Sequence, residues 1–210
     1  MAINNVYFDT EFTGLHKDTT LISIGLILET GKQFYAELTD YDVNQIDEWL
    51  EKNVMSNLLL NNLGVNRNIE KDGNVVVKGT KEFVRKHLHE WLDKELDGEI
   101  QFVSDVSHYD FVLLLDLLSA NKYNIFDVPD RISLSCVDLN NIIAEYKGIT
   151  PKEAFEVCRE DLLMKSIEGF SEENKHNSLY DAMVIKAIYE TRPITCMRTT
   201  DYDNMLEKIK

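Results

Sequence analysis

The run Val6-Tyr7-Phe8-Asp9-Thr10-Glu11-Phe12 sets the strongest constraint on what this chain can become. Ile3 to Phe8 is rich in β-branched and aromatic residues and reads as a strand. Asp9 and Glu11, two residues apart at its end, therefore point to the same side. Two carboxylates in one small volume repel each other, and a protein tolerates that most easily when a cation occupies the volume. Hard oxygen ligands of this kind suit Mg²⁺ or Mn²⁺, which take carboxylates, waters and phosphate oxygens. Taken alone, D-x-E is a short pattern, and a turn at Asp9 with a solvated Glu11 accounts for it equally well. The rest of the chain must discriminate.

Downstream of the pair the pattern is strands first, then helices mixed with strands. Thr20 to Leu28 is a second β-rich run, Glu29-Thr30-Gly31-Lys32 a tight turn, and Gln33 to Leu38 a third strand, so a three-stranded antiparallel meander is expected. Ile46, Trp49, Leu50 and Val54 fall at helical spacing, predicting an amphipathic helix over 43–58 with Trp49 in the core. Residues 61–79 hold five Asn and three Gly. Asp72-Gly73 between two short β-prone runs predicts a hairpin there, which we read as an inserted arm on a single domain spanning 1–210. Thr80 caps a helix through Glu95 whose buried face carries Phe83, Val84, Leu88, Trp91 and Leu92. His87 and His89 on this helix point to different sides, make a poor metal pair and are read as surface residues.

Ile100 to Ser104 follows as a buried strand. Tyr109-Asp110-Phe111 then opens a strongly apolar helix, a second place where an acid is delivered to a strand end. Ile132 to Cys136 is a strand, Asp138 caps a helix through Tyr146, and Pro151 starts a helix expected over 152–165. Gly169 marks a break. His176-Asn177-Ser178-Leu179-Tyr180-Asp181 leads into a helix through Glu190 with Ala182, Ile185 and Ile188 facing inward, and the tail after Pro193 packs or frays. This order of elements gives a mixed-sheet α/β domain flanked by helices.

Charge narrows the partners. The formal net charge is −15, from 22 Lys plus Arg against 37 Asp plus Glu. That excludes a broad basic face for duplex nucleic acid but leaves open a cleft in which metal ions supply the positive charge. With 44% hydrophobic residues the chain can build a core. Three cysteines without C-x-x-C spacing suggest neither a disulfide framework nor a thiolate zinc site. No apolar run is long enough to span a membrane, and no signal-peptide pattern is present, so a cytoplasmic protein without a membrane partner is expected.

Four acids and one histidine stand out by context: Asp9, Glu11, Asp110, His176 and Asp181. In this order they resemble the DEDDh exonucleases, DnaQ-like 3′-to-5′ nucleases on a ribonuclease H-like sheet. Their first motif is D-x-E, their second an Asp opening an apolar helix, and their third H-x4-D. A sister group places tyrosine four residues before the last acid, where this chain has Asn177, so the resemblance is to the histidine branch. Asp105 competes with Asp110 for the second acidic position. Within the branch, Tyr7 to Phe12 followed by Leu21-Ile22-Ser23-Ile24-Gly25 is most similar to small exoribonucleases of the ribonuclease AS type, which trim RNA from its 3′ end, favour adenylate and form homodimers.

The resemblance implies a two-metal site, with two Mg²⁺ or Mn²⁺ ions per active site. Asp9 would bridge both, Glu11 and Asp181 would complete one, Asp110 would support the other, and His176 would act as the general base. Single-stranded RNA 3′ ends are the implied substrate, with DNA open. Phe12, Thr10 and Tyr109 are candidate substrate contacts, Phe12 and Tyr109 having core packing as the competing reading. A single-stranded DNA exonuclease, or a catalytically silent interaction module on the same fold, are the alternative functions.

Overall fold

The structure is a computed structural model that describes residues 3–120, 124–163 and 174–191. Its frame is a seven-stranded mixed sheet. In chain order the strands are β1 (Ile3–Phe12), β2 (Leu21–Leu28), β3 (Gln33–Leu38), β4 (Arg67–Lys71), β5 (Asn74–Gly79), β6 (Glu99–Ser104) and β7 (Ile132–Asp138). The helices are α1 (Glu48–Asn53), α2 (Lys81–Glu95), α3 (Ser107–Leu118), α4 (Leu139–Lys147), α5 (Pro151–Phe155) and α6 (Ser178–Thr191). Across the sheet the order is β4-β5-β3-β2-β1-β6-β7.

The expected meander is present: β1 pairs antiparallel with β2, and β2 antiparallel with β3. On its other side β1 runs parallel to β6, and β6 parallel to β7. The carboxyl ends of β1 and β6 therefore lie side by side, the position where open α/β sheets place their ligands. Alternation then sorts the two faces. Val6 and Phe8 of β1 with Ile24 and Leu26 of β2 bury against α2 and α3, while Tyr7 and Ile27 bury on the opposite side against α4 and α6. No helix among the described residues is long and apolar enough to cross a membrane.

Residues 67–79 form the predicted hairpin, with Asp72 (φ 53°) and Gly73 (φ 81°) as its turn. Both central residues take positive φ, which matches the twist of the flanking strands. Strand β5 joins the sheet parallel to β3, and Trp91 on α2 donates its indole N–H to Gly73 O at 2.9 Å, tying the turn to the main body.

Several local expectations are corrected. The helix expected over 43–58 is broken: a 3-10 turn at Val43–Gln45, extended backbone at Ile46, the short α1, and another 3-10 turn at Met55–Asn57. The cause is two competing caps, since Asp42 accepts from Asn44 N and Asp47 from Leu50 N, and each starts its own turn. The helix expected over 152–165 ends at Phe155. The last turn tightens to three-residue bonds, Glu156 N to Glu153 O and Val157 N to Ala154 O, and Arg159 donates to Ala154 O and Val157 O from one guanidinium nitrogen, 2.8 Å each. His87 and His89 are half-buried rather than on the surface. His87 packs its ring on Phe83, and His89 Nε2 lies 3.0 Å from Leu118 O, because α2 leans against α3. Gly169 and the tail beyond Pro193 lie outside the described residues.

Candidate active site

Strand β1 delivers Asp9 and Glu11 on the face covered by α6, directly opposite Gly25 and Ser23 of β2. Both belong to the strand, which runs on to Phe12 with a bulge after Glu11. Gly25 is what lets α6 come close. A Cβ there would lie 2.3 Å from Leu179 Cα and 2.4 Å from Leu179 N and Ser178 O. Ser23 and Ser178 hydroxyls meet at 3.0 Å beside this crossing. The first turn of α6 thereby brings Asp181 to the acidic pair. His176 precedes it with φ 62°, and its backbone N–H donates to Asp181 Oδ2 at 3.0 Å.

From the β6 side, α3 begins at Ser107, and Asp110 lies in its first turn, 2% exposed. Its two carboxylate oxygens are both held. Thr10 Oγ1 donates to Oδ1 at 2.6 Å and Ser104 Oγ to Oδ2 at 2.8 Å. Asp105, at the β6 end, pairs with Arg159 Nε at 3.1 Å, and Arg159 also reaches Asn140 Oδ1 at 3.2 Å.

These carboxylates fall into two overlapping groups. Oxygens of Asp9, Glu11 and Asp181 lie within 4.8 Å of one another, as do oxygens of Asp9, Asp105 and Asp110. Asp9 is common to both. Burial, followed by the charges of Asp110, Asp181, Glu11 and Asp105, pushes the Asp9 carboxyl well above its usual range. Glu11 is raised in the same way by burial, Asp181 and Asp110. Asp110 is pushed up to about 7 by burial and Asp105, against the lowering effect of the Thr10 and Ser104 hydroxyls. Burial raises Asp105 as well, opposed by Arg159. Two groups of three carboxylates that share Asp9 fit divalent cations, which would supply the missing positive charge and favour the ionised carboxylates.

The site opens into a cleft of about 910 Å³. Its walls are residues 9–16 after and within β1, Trp49 and Leu50 of α1, the segment 155–159, and the entry to α6. The structure thus brings together all five motif residues, Asp9, Glu11, Asp110, His176 and Asp181. Phe12 lines the cleft and stacks on Tyr109, with centroids 5.3 Å apart and 18° between planes. Thr10 is buried, its hydroxyl on Asp110.

Sequence reasoning put Trp49 in the core. It is 53% exposed instead, with its ring 5.1 Å from that of His176 at 76°. Leu50 of α1 and Val54 at its C-terminal cap take the core positions against Ile22, so Trp49 is left on the cleft side. Arg159 was not singled out from sequence. No local pattern marks it, because its partner Asp105 is 54 residues earlier in the chain.

A family model described as the 3′-5′ exoribonuclease Rv2179c-like domain matches residues 4–192. Comparison with curated proteins finds no match. Among the solved structures that share the fold are two 3′-exonucleases. A full-length 3′-exonuclease superposes with TM-score 0.58 at 14% identity, covering 89% of this chain and 79% of that one. A 3′-exonuclease solved in the 3′-end specific recognition of a histone mRNA stem-loop gives TM-score 0.58 at 14% identity, covering 89% of this chain and 62% of that one.

Proposed function

We propose, on the premise that this chain belongs to the Rv2179c-like family of 3′-5′ exoribonuclease domains, how its residues divide the work of that activity. The chain is a 3′-to-5′ exoribonuclease on a mixed α/β sheet. The observation that carries the reading is Asp9, shared by two carboxylate groups at one strand end. It supports a site for divalent cations, Mg²⁺ or Mn²⁺, in which Asp9, Glu11 and Asp181 would hold one ion and Asp110, with Asp9, would help to hold a second. Bound there, such ions supply a more acidic attacking water and stabilise charge on the departing oxygen.

The chain's own groups do the rest. His176 at the cleft takes the proton from the attacking water at a ring nitrogen, the role that histidine fills most often in general acid–base catalysis. The P–O3′ bond breaks, a nucleoside 5′-monophosphate is released, and the shortened strand's O3′ takes up a proton from solvent. Thr10 and Ser104 fix the Asp110 carboxylate, and Arg159 fixes Asp105. Phe12, backed by Tyr109, stacks on a terminal base, which is worth roughly 1–3 kcal/mol.

The substrate we propose is the 3′ end of single-stranded RNA, since the chain, with a net charge of −15, lacks the positive charge for a duplex face. The stem-loop recognised by the solved 3′-exonuclease supports an RNA substrate for this fold. A cytoplasmic homodimer of single-domain protomers completes the reading, with sedimentation velocity as the check on its subunit number.

The experiment is a time course on 5′-labelled single-stranded RNA with Mg²⁺ or Mn²⁺, beside Asp9→Ala, His176→Ala and a matched DNA strand. A ladder shortening from the 3′ end, lost with chelator and reduced about 10²–10⁴-fold in His176→Ala, is expected. A ladder on DNA alone would overturn the substrate, and an unimpaired His176→Ala would overturn the base.

A further inference from the structure

A base on a turn must be held where the water is, and His176 lies on the turn that enters α6 rather than inside a regular element. Its backbone is in the left-handed region, φ 62°, outside the environment that restricts side-chain rotamers in a helix. Three contacts from one distant segment converge on this turn. Asn57 Nδ2 donates to Lys175 O at 3.0 Å, and Asn177 Nδ2 donates to Asn57 O at 2.9 Å. These two bonds bracket His176 from the residues on either side of it. The third contact is the edge-to-face approach of the Trp49 ring to the imidazole.

The segment is well placed to act as a fixed stop. A helix of six residues is marginal alone. It is nailed down at its start by the Asp47 cap on Leu50 N, and on its inner side by Leu50 and Val54 against Ile22 of β2. Asn57 is itself anchored, with Nδ2 also donating to Asn53 O at 2.7 Å. The sheet thus positions α1, and α1 with its following turn positions the histidine.

We infer that Trp49 and the two hydrogen bonds of Asn57, one to Lys175 O and one from Asn177 Nδ2, form a positioning element for His176, holding the imidazole over the carboxylates in the orientation that meets the attacking water. This rests on His176 being the general base. Trp49 would act through His176, which accounts for so large an aromatic residue standing half out of the core with its ring against the imidazole. An edge-to-face pair of this kind biases the imidazole's orientation about 3–10-fold, and kcat follows that bias.

The test uses the full chain with Mn²⁺ and a short single-stranded RNA. Trp49→Leu is expected to lower kcat about 3–10-fold with KM within twofold, leaving Mn²⁺ affinity by calorimetry unchanged. Trp49→Phe, which keeps a ring edge, recovers most of the loss. Asn57→Ala lowers kcat in the same way and carries the test if Trp49→Leu lowers the melting temperature. In a His176→Ala background Trp49→Leu adds no further loss, because the residue it positions is gone. A raised KM with kcat intact would make Trp49 a platform for a base and overturn the inference, as would a loss that persists in the His176→Ala background. Wild-type rates in His176→Ala alone would instead remove the base assignment on which the inference stands.

Discussion

Thr10 Oγ1 donates a 2.6 Å hydrogen bond to Oδ1 of Asp110, joining the residue between the two β1 acids to the first turn of α3. The bond crosses 100 residues of sequence and is buried. It makes Thr10 a support for the acidic centre. Thr10→Val keeps the shape and removes the hydroxyl donor, leaving Asp110 with the Ser104 hydroxyl and the Thr10 backbone N–H. Loss of a buried bond to a charged group costs about 1–3 kcal/mol. Chemical denaturation should show that loss, with weaker Mn²⁺ binding and an unchanged KM, and Thr10→Ser should restore all three. A raised KM with stability intact would instead assign Thr10 to the substrate.

Asp110 makes stability depend on pH in a definite sense. Its pKa rises from 3.8 in the unfolded chain to about 7 in the cation-free fold, so the native state holds the proton more tightly. The stability linked to this group is complete below pH of about 4 and is lost as pH rises through about 7. Melting temperature in chelator should fall across that window, less steeply in Asp110→Asn. Saturating Mg²⁺ should restore more stability at high pH than at low, because cation binding competes with protons. A profile identical in Asp110→Asn and wild type would sink the assignment.

Arg159 and Asp105 are both mostly buried, with side-chain exposures of 12% and 18%. Removing only the arginine leaves a buried carboxylate without its partner, which costs about 3 kcal/mol. Arg159→Ala should be clearly less stable than wild type in urea, and Asp105→Asn with Arg159→Ala should recover part of the loss. Additive losses in the double variant would show that the pair does not couple.

Gly25→Ala tests the crossing that assembles the site. The new methyl would meet backbone atoms of Ser178 and Leu179, which cannot rotate away. Strain of about 1–3 kcal/mol is expected, relieved by moving α6 off β2. Asp181 and His176 would move with it, so activity and Mn²⁺ affinity should fall together. An unchanged melting temperature and rate would show that the close approach is dispensable.

Much of this was legible in the chain because it is local. The β1 pattern placed Asp9 and Glu11 on one face, Thr80 and Asp138 marked helix starts, and Asp72-Gly73 marked a hairpin. Periodicity and cap chemistry act over a few residues, so they survive without tertiary context. The breaks in 43–58 were less legible, because two cap-forming Asp residues competed with a plausible apolar period.

By itself, then, the sequence determined the strands, the cap-marked helix starts and the types of residue that could meet, but not the extents of the helices at 43–58 and 152–165. Tertiary structure alone decided that Asp105 joins Asp110 around Asp9, that Arg159 stands against Asp105, and that Trp49 faces His176. Asp105 and Arg159 lie 54 residues apart, Trp49 and His176 lie 127 apart, and Asp9 is far in sequence from both Asp105 and Asp110, so nothing in local spacing encodes which of them will face each other. The parallel pairing of β1 with β6 and the close seat of α6 on Gly25 bring them together, because each buries an apolar face that no single segment could cover.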